Sequence, residues 1–194
     1  MPAAAPGAQD RAKRDALQRA KRNALQRAKR VRLMLFDVDG VLTDGKLWYG
    51  PDGETHKAFH VFDGFGIKLL LQAGISVGVL SGRTSAAVAA RAAELGIAHV
   101  LQGSEDKRSV FESLLARLAL PAAEAGFMGD EVVDLPVLRR CGFACAPAGA
   151  HERVLAHAHY VTRAAAGGGA AREVCEYLLQ AQGRLEAALA GFLA

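Results

Sequence analysis

Leu33-Met34-Leu35-Phe36-Asp37-Val38-Asp39-Gly40-Val41-Leu42-Thr43 sets the architecture of this chain. An apolar run that ends in two carboxylates one residue apart describes a buried strand delivering acid groups to its carboxyl end. Open α/β sheets bind ligands at that edge. On an extended backbone Asp37 and Asp39 point the same way, and a hard divalent cation would relieve the repulsion between them. A plain Asp-Gly turn after a strand looks the same. Later strand ends separate the two readings.

At 194 residues and 51% apolar composition, the chain suits one well-buried domain with appendages. Its net charge of +4 conceals a split. Residues 1–32 carry ten Lys/Arg against Asp10 and Asp15, which leaves fourteen Lys/Arg and eighteen Asp/Glu for the remainder. The basic arm, residues 1–30, holds a near repeat: Lys13-Arg14-Asp15-Ala16-Leu17-Gln18-Arg19-Ala20, then Lys21-Arg22-Asn23-Ala24-Leu25-Gln26-Arg27-Ala28. These residues favour helix, but Leu17 and Leu25 are its only large apolar side chains, so a solvated extension, disordered or part-helical, is expected. No aromatic residue interleaves with the charges to stack on bases, and no nucleic-acid partner is expected. Cys141, Cys145 and Cys175 lack metal or redox spacing and read as small buried hydrophobes of a reducing compartment. No apolar run reaches membrane-spanning length, so a cytoplasmic protein without a membrane partner is expected.

The expected domain runs over residues 31–182, followed by an apolar tail at 183–194. Two strands at 46–49 and 54–61, joined by Gly50-Pro51-Asp52-Gly53, read as a β-hairpin. Asp63-Gly64-Phe65-Gly66 then leads into a helix over 67–73. Strands at 75–80, 98–101 and 125–128 alternate with helices at 84–95, 104–118 and 132–140. Short strands at 143–146 and 160–162 and a helix over 170–182 complete the pattern. The fold class is therefore α/β, a doubly wound parallel sheet with a projecting hairpin.

Three further strand ends repeat the message of the first. Ser81-Gly82-Arg83 places a hydroxyl and outward-facing N–H groups at a strand-to-helix turn, which is an anion cradle. Lys107 falls in the first turn of its helix, where the dipole disfavours a cation and an anionic partner would account for it. Gly129-Asp130-Glu131-Val132-Val133-Asp134 puts Asp130 at a strand end and Asp134 one turn later on the same face. With Asp37 and Asp39 this makes a cluster of four aspartates.

In that order, Asp37-x-Asp39-Gly40, Ser81, Lys107 and Gly129-Asp130-x-x-x-Asp134 resemble the four signature motifs of the haloacid dehalogenase-like phosphatase superfamily. Over residues 31–182 the chain is similar to the 3-deoxy-D-manno-octulosonate 8-phosphate phosphatase family. Carrying that likeness are Thr43-Asp44-Gly45, Lys57-Ala58-Phe59-His60-Val61, Asp63-Gly64-Phe65-Gly66, Gly82-Arg83 with Arg91, Gln102-Gly103, Tyr160-Val161-Thr162-Arg163 and Arg172-Glu173-Val174-Cys175. It departs from the family pattern in the run Ala166–Arg172, which lacks an internal basic side chain, at Phe62, and at Glu131.

The resemblance implies a phosphomonoesterase of lipopolysaccharide synthesis that works through an aspartyl-phosphate. Asp37 would be the nucleophile, and Asp39 the acid and then the base, protonated at the outset through crowding by other carboxylates. Ser81 and Lys107 would hold the phosphoryl oxygens. Mg²⁺ would be bound by Asp37, the Asp39 carbonyl and Asp130, with Asp134 orienting Lys107 or a metal-bound water from behind. Spacing leaves no room for a large cap domain between Asp44 and Ser81 or between Lys107 and Asp130. The family implication is a homotetramer joined through the hairpins, with Lys57, His60 and Asp63 near an interface; these three, with Gly82, Arg83 and Arg91, would be the substrate-binding residues, Arg83 and Arg91 meeting a sugar-acid carboxylate. Two alternatives stand beside it: the same chemistry on a nine-carbon 2-keto-3-deoxy sugar acid phosphate, and a non-catalytic oligomerisation module.

Overall fold

The computed structural model describes residues 8–51 and 53–193. In chain order the elements are α1 (Ala8–Ala28), β1 (Leu33–Phe36), the hairpin β2 (Trp48–Gly50) and β3 (Gly53–His56), α2 (Val61–Gln72), β4 (Ser76–Leu80) and α3 (Ala86–Leu95). There follow β5 (His99–Leu101), α4 (Lys107–Arg117), β6 (Ala125–Met128), α5 (Leu135–Leu138), β7 (Phe143–Ala148), α6 (Glu152–Leu155), β8 (Tyr160–Ala165), α7 (Ala170–Ala181) and α8 (Leu185–Leu193). Six strands form one sheet in the order β5-β4-β1-β6-β7-β8, every pairing parallel, and the hairpin stands apart as a second small sheet. Among the described residues no helix is long and apolar enough to cross a membrane.

β1 is apolar throughout because it is covered on both faces and both edges. It pairs with β4 (Phe36 beside Val79) and with β6 (Phe36 beside Met128), and all four of its residues are buried. Strand alternation divides its side chains between two cores. Met34 and Phe36 join Ile67, Leu70, Val88, Val174 and Leu178 under α2, α3 and α7. Leu33 and Leu35 join Phe111, Leu114, Phe127 and Leu138 under α4 and α5. The three cysteines are free and buried, as small hydrophobes would be.

Several element boundaries depart from the expected ones, each for a local reason. The second hairpin strand ends at His56, not at 61, and α2 starts at Val61, six residues before the expected 67. His60 caps it, its Nδ1 accepting from the Phe62 N–H at 3.1 Å. Gly64 and Gly66 lie inside this helix rather than ahead of it. A Cβ on Gly66 would come 2.9 Å from Arg172 Cδ and 3.2 Å from Cys175 Cβ, so the glycine allows α2 and α7 to cross closely. That packing offsets the helix cost of about 1 kcal/mol for an interior glycine. The expected helix over 132–140 is a 3₁₀ turn, Val132–Asp134, followed by α5.

The basic repeat forms one continuous helix, α1. Its large apolar residues Leu17 and Leu25 are exposed, while Ala24 and Ala28 are buried. Small side chains let its last turns lie against the domain, where Arg27 donates to the Gly142 carbonyl at 2.8 Å and Gln182 donates to the carbonyls of Ala28 and Val31. At the other end of the chain, α8 rests Leu185 and Leu189 on the core and sets Phe192 edge-on against Phe65 at 5.0 Å.

Candidate active site

The sheet's hydrogen-bond ladder extends one residue beyond three strands, and so fixes the backbone of the groups that follow. Asp37 N–H donates to the Met128 carbonyl at 2.9 Å, Ser81 N–H to Leu101 at 2.9 Å, and Gly129 N–H to Cys145 at 3.2 Å. After Asp39 the chain curls back, the N–H groups of Val41, Leu42 and Thr43 all converging on the Val38 carbonyl. Val38 is turned into the core, which leaves Asp37 and Asp39 on the outer side.

Lys107 is the first residue of α4, with Asp106 as the cap. Its ammonium is buried and sits 2.8 Å from Asp37 Oδ1 and 2.7 Å from Asp134 Oδ1. Two carboxylates thus outweigh the unfavourable helix dipole at that end. Asp134 is held in turn, its Oδ2 accepting from the backbone N–H groups of Asp130 at 3.0 Å and Glu131 at 3.3 Å. Glu131 completes a capping box there, accepting from the Val132 N–H. Asp130 lies against Gly40, whose φ is +83°, and a Cβ on Gly40 would fall within the Asp130 carboxylate. Any other residue at 40 would push Asp130 out of place.

Carboxylate oxygens of Asp37, Asp130 and Asp134 lie within 4.8 Å of one another. Burial, reinforced by Asp134, raises the Asp37 carboxyl to about 6 in spite of Lys107. Burial together with Asp37 and Asp134 raises Asp130 to about 7. Burial pulls Lys107 down, but Asp37 and Asp134 outweigh it and leave the ammonium raised. Asp130 Oδ1 is buried with no hydrogen-bond partner. An orphaned oxygen among crowded carboxylates is what a hard divalent cation such as Mg²⁺ would satisfy. Both oxygens of Asp134 are engaged by Lys107 and backbone amides, so the donors left facing a cation are those of Asp37 and Asp130.

Asp39 departs from its expected surroundings. Its carboxylate is not among those crowded oxygens; Oδ1 pairs with the Lys57 ammonium, and Oδ2 lies 3.9 Å from Arg83 Nε without a hydrogen bond. The charged neighbours of Asp39 are therefore cations, not the carboxylates expected to keep it protonated. Lys57 also meets Glu54 at 3.1 Å, and Arg83 meets both Glu54 and the Tyr49 hydroxyl. Glu54 and Tyr49 were not picked out as site residues. The one available signal was a glutamate three residues before Lys57, a spacing too common to single out. Ser81 is buried, its Oγ accepting from the Arg83 N–H at 3.2 Å, with Gly82 exposed between them.

Three expected ligand groups lie elsewhere. Asp63 is buried and caps α7, accepting from the N–H groups of Arg172 at 2.8 Å and Gly169 at 3.4 Å. His60 caps α2, and Arg91 pairs with Glu94 at 2.8 Å. Asp63, His60 and Arg91 line one narrow apolar cleft between α2 and α3, with Leu42, Phe59 and Ile67, that Asp37, Asp39, Asp130 and Asp134 do not line. The run lacking a basic side chain packs on the loop after Asp39, with Gly167 N–H donating to the Val41 carbonyl at 3.1 Å.

Comparison with known proteins agrees with this geometry. Residues 83–174 match the haloacid dehalogenase-like hydrolase family. A protein of Escherichia coli K12 named 3-deoxy-D-manno-octulosonate 8-phosphate phosphatase is 45% identical over 158 residues, 81% of this chain and 84% of the relative. A crystal structure of a probable YrbI family phosphatase from Pseudomonas syringae is similar with a TM-score of 0.87 at 48% identity, covering 89% of this chain and 98% of that one. The 3-deoxy-D-manno-octulosonate 8-phosphate phosphatase of Moraxella catarrhalis, in complex with magnesium, phosphate and KDO, is similar with a TM-score of 0.85 at 40% identity, covering 87% of this chain and 97% of that one.

The raised carboxyls make a stability prediction whose sign follows from proton counting. Asp37 and Asp130 titrate near 6 and 7 in the folded chain, against an ordinary value of 3.8. Between these limits the native state binds more protons than the unfolded state, so metal-free stability falls as pH rises from about 4 to about 7. Mg²⁺ offsets that loss by favouring the ionised carboxylates. Melting by differential scanning fluorimetry is expected to show a larger Mg²⁺-induced rise at pH 7.5 than at pH 5, and Asp130→Asn is expected to abolish most of the difference. A Mg²⁺ shift independent of pH contradicts the assignment of the cation to these carboxylates.

Proposed function

The chain belongs to the 3-deoxy-D-manno-octulosonate 8-phosphate phosphatase family of haloacid dehalogenase-like hydrolases, and from that premise we propose that it hydrolyses 3-deoxy-D-manno-octulosonate 8-phosphate to the free sugar acid and phosphate in lipopolysaccharide synthesis. The observation that supports this reading most is the Lys107 ammonium held between Asp37 and Asp134, beside the unpartnered oxygen of Asp130.

In the first displacement an Asp37 carboxylate oxygen forms a bond to phosphorus as the bond to the C8 oxygen of the sugar breaks, leaving an aspartyl-phosphate. Asp39, whose neighbours are cations, takes a proton from the entering phosphate monoester monoanion and hands it to the departing oxygen, which would otherwise leave as a strongly basic alkoxide. In the second, Asp39 takes a proton from water as that water attacks phosphorus, and Asp37 is released. Lys107 and the Ser81 hydroxyl hold the phosphoryl oxygens, and Asp134 fixes where Lys107 points. Asp37, the Asp39 backbone carbonyl and Asp130 would hold Mg²⁺, which supplies charge neutralisation that lets a carboxylate approach a phosphate dianion. Arg83, with Gly82 leaving the rim uncrowded, faces the sugar acid, and the buried Lys57 stands behind it on Asp39 and Glu54. This is a mechanism of two steps with one proton-carrying residue.

Among the described residues the site also has no covering domain of its own. Leu47, Trp48 and Tyr49 of the hairpin are exposed, as are Phe192 and Leu193 of α8. Apolar surface at two places along the chain supports assembly into a homotetramer in which neighbouring subunits cover each other's sites, and the three free, buried cysteines fit a reducing cytoplasm.

Phosphate release from the eight-carbon sugar-acid phosphate is expected with Mg²⁺, abolished by EDTA, and faster than from the nine-carbon homologue. Faster release from the nine-carbon substrate would transfer the assignment to it, and no release from either would exclude the proposal. Asp39→Asn is expected to lose roughly 10²–10⁴-fold in kcat on the sugar phosphate. On p-nitrophenyl phosphate, whose leaving group needs no proton, first-turnover release of p-nitrophenol should be nearly unchanged, while steady-state turnover still falls because the second displacement uses Asp39 as base. Equal losses in the first turnover of both substrates would rule out Asp39 as the acid.

A further inference from the structure

Glu54 lies on β3 of the hairpin, outside the groups that reach phosphorus. Its Oε2 accepts from Lys57 Nζ at 3.1 Å and from Arg83 at 3.3 Å (Nε) and 3.2 Å (Nη2). One carboxylate oxygen thus gathers two cations that come from separate segments, the end of the hairpin and the turn after β4. Tyr49, on the partner strand, adds a second restraint, its hydroxyl accepting from Arg83 Nη2 at 2.6 Å. The two cations differ in access. The Lys57 side chain is 1% exposed and spends its charge on Asp39 and Glu54, whereas that of Arg83 is 42% exposed. Nε and Nη2 of Arg83 are taken up by the hairpin, and Nη1 has no partner among the described residues. The guanidinium is therefore held by one edge with the remaining donors turned to solvent, which suits a carboxylate.

We propose that Glu54 is a positioning residue, holding Arg83 and Lys57 so that Arg83 meets the carboxylate of the sugar acid; the inference rests on the sugar-acid phosphatase reading above. Unanchored, Arg83 would sample many rotamers, and fixing one of them would have to be met from substrate binding. Glu54 then acts on recognition of the substrate's far end through Arg83, touches no reacting atom, and reaches Asp39 only through the Lys57 ammonium they share. A purely structural role would disturb recognition and phosphoryl chemistry alike.

The test compares the eight-carbon sugar-acid phosphate with p-nitrophenyl phosphate, which has no carboxylate, in wild type, Glu54→Gln and Glu54→Ala. Glu54→Ala is expected to raise KM for the sugar-acid phosphate about tenfold or more, the loss of hydrogen bonds between charged groups. Its kcat should stay within about threefold of wild type, and its kcat/KM on p-nitrophenyl phosphate should not change. Glu54→Gln, whose amide oxygen still accepts, should fall between. In an Arg83→Ala background Glu54→Ala should add little, because residues that act through one another are not additive. An unchanged KM, an equal loss on both substrates, or full additivity with Arg83→Ala overturns the role. If wild type itself shows no preference for the sugar-acid phosphate, the substrate reading fails and Glu54's role with it. If wild type shows the preference and Glu54→Ala keeps it, only the role of Glu54 fails.

Discussion

A single buried ammonium, Lys107, joins the ends of three separate segments. Asp37 follows β1, Asp134 belongs to the turn after β6, and Lys107 opens α4 after β5. Removing Lys107 would leave two buried carboxylates uncompensated, at a cost of about 3–5 kcal/mol. The rest of the site depends on this contact. Lys107 offsets part of the repulsion that burial and Asp134 impose on Asp37, and the second oxygen of Asp134 organises the backbone at Asp130 and Glu131. Asp130 is then left with a buried oxygen that has no hydrogen-bond partner and that a cation would satisfy.

The site is divided into two electrostatic halves by the turn at Val38. Carboxylates and Lys107 gather on the side of Asp37, while Asp39 opens toward Lys57, Arg83 and Glu54. The second half is contributed largely by a hairpin of two short strands, which has little stability by itself. Ion pairs from Lys57 and Arg83 tie it to the sheet. Chemistry at phosphorus thus rests on the rigid centre of the fold, and recognition of the sugar rests on an element that also presents Leu47, Trp48 and Tyr49 to its surroundings. Covering the site and recognising the substrate would then be coupled through the same residues.

Where residues act through their own strand, the pattern of the chain was enough to locate them. The run Leu33–Phe36 and the order of Asp37, Ser81, Lys107, Asp130 and Asp134 at successive strand ends follow from buried strands alternating with helices, and the strand expected at 125–128 is the one observed. Where tertiary packing overrides local preference, the pattern misled. Two glycines placed the start of α2 six residues late, because their helical use depends on α3 and α7 pressing against them. Asp63 looked like a polar group available to a ligand, although its carboxylate is spent on the first turn of α7, more than a hundred residues away. The partners of Asp39 were illegible for the same reason, since nothing in the sequence of a hairpin tells which way its lysine folds back. Burial of Ala24 and Ala28 beneath exposed Leu17 and Leu25 was equally hidden, because close approach there favours the smaller side chain.

The central claim is that Asp37 carries the phosphoryl group. Acid quench during turnover of the eight-carbon sugar-acid phosphate, followed by borohydride reduction and peptide mass spectrometry, tests it directly, since reduction converts an aspartyl-phosphate to homoserine. Homoserine is expected at position 37 and at no other aspartate, appearing only when substrate is present. Conversion at Asp39 or Asp130, or turnover without modification at Asp37, would contradict it.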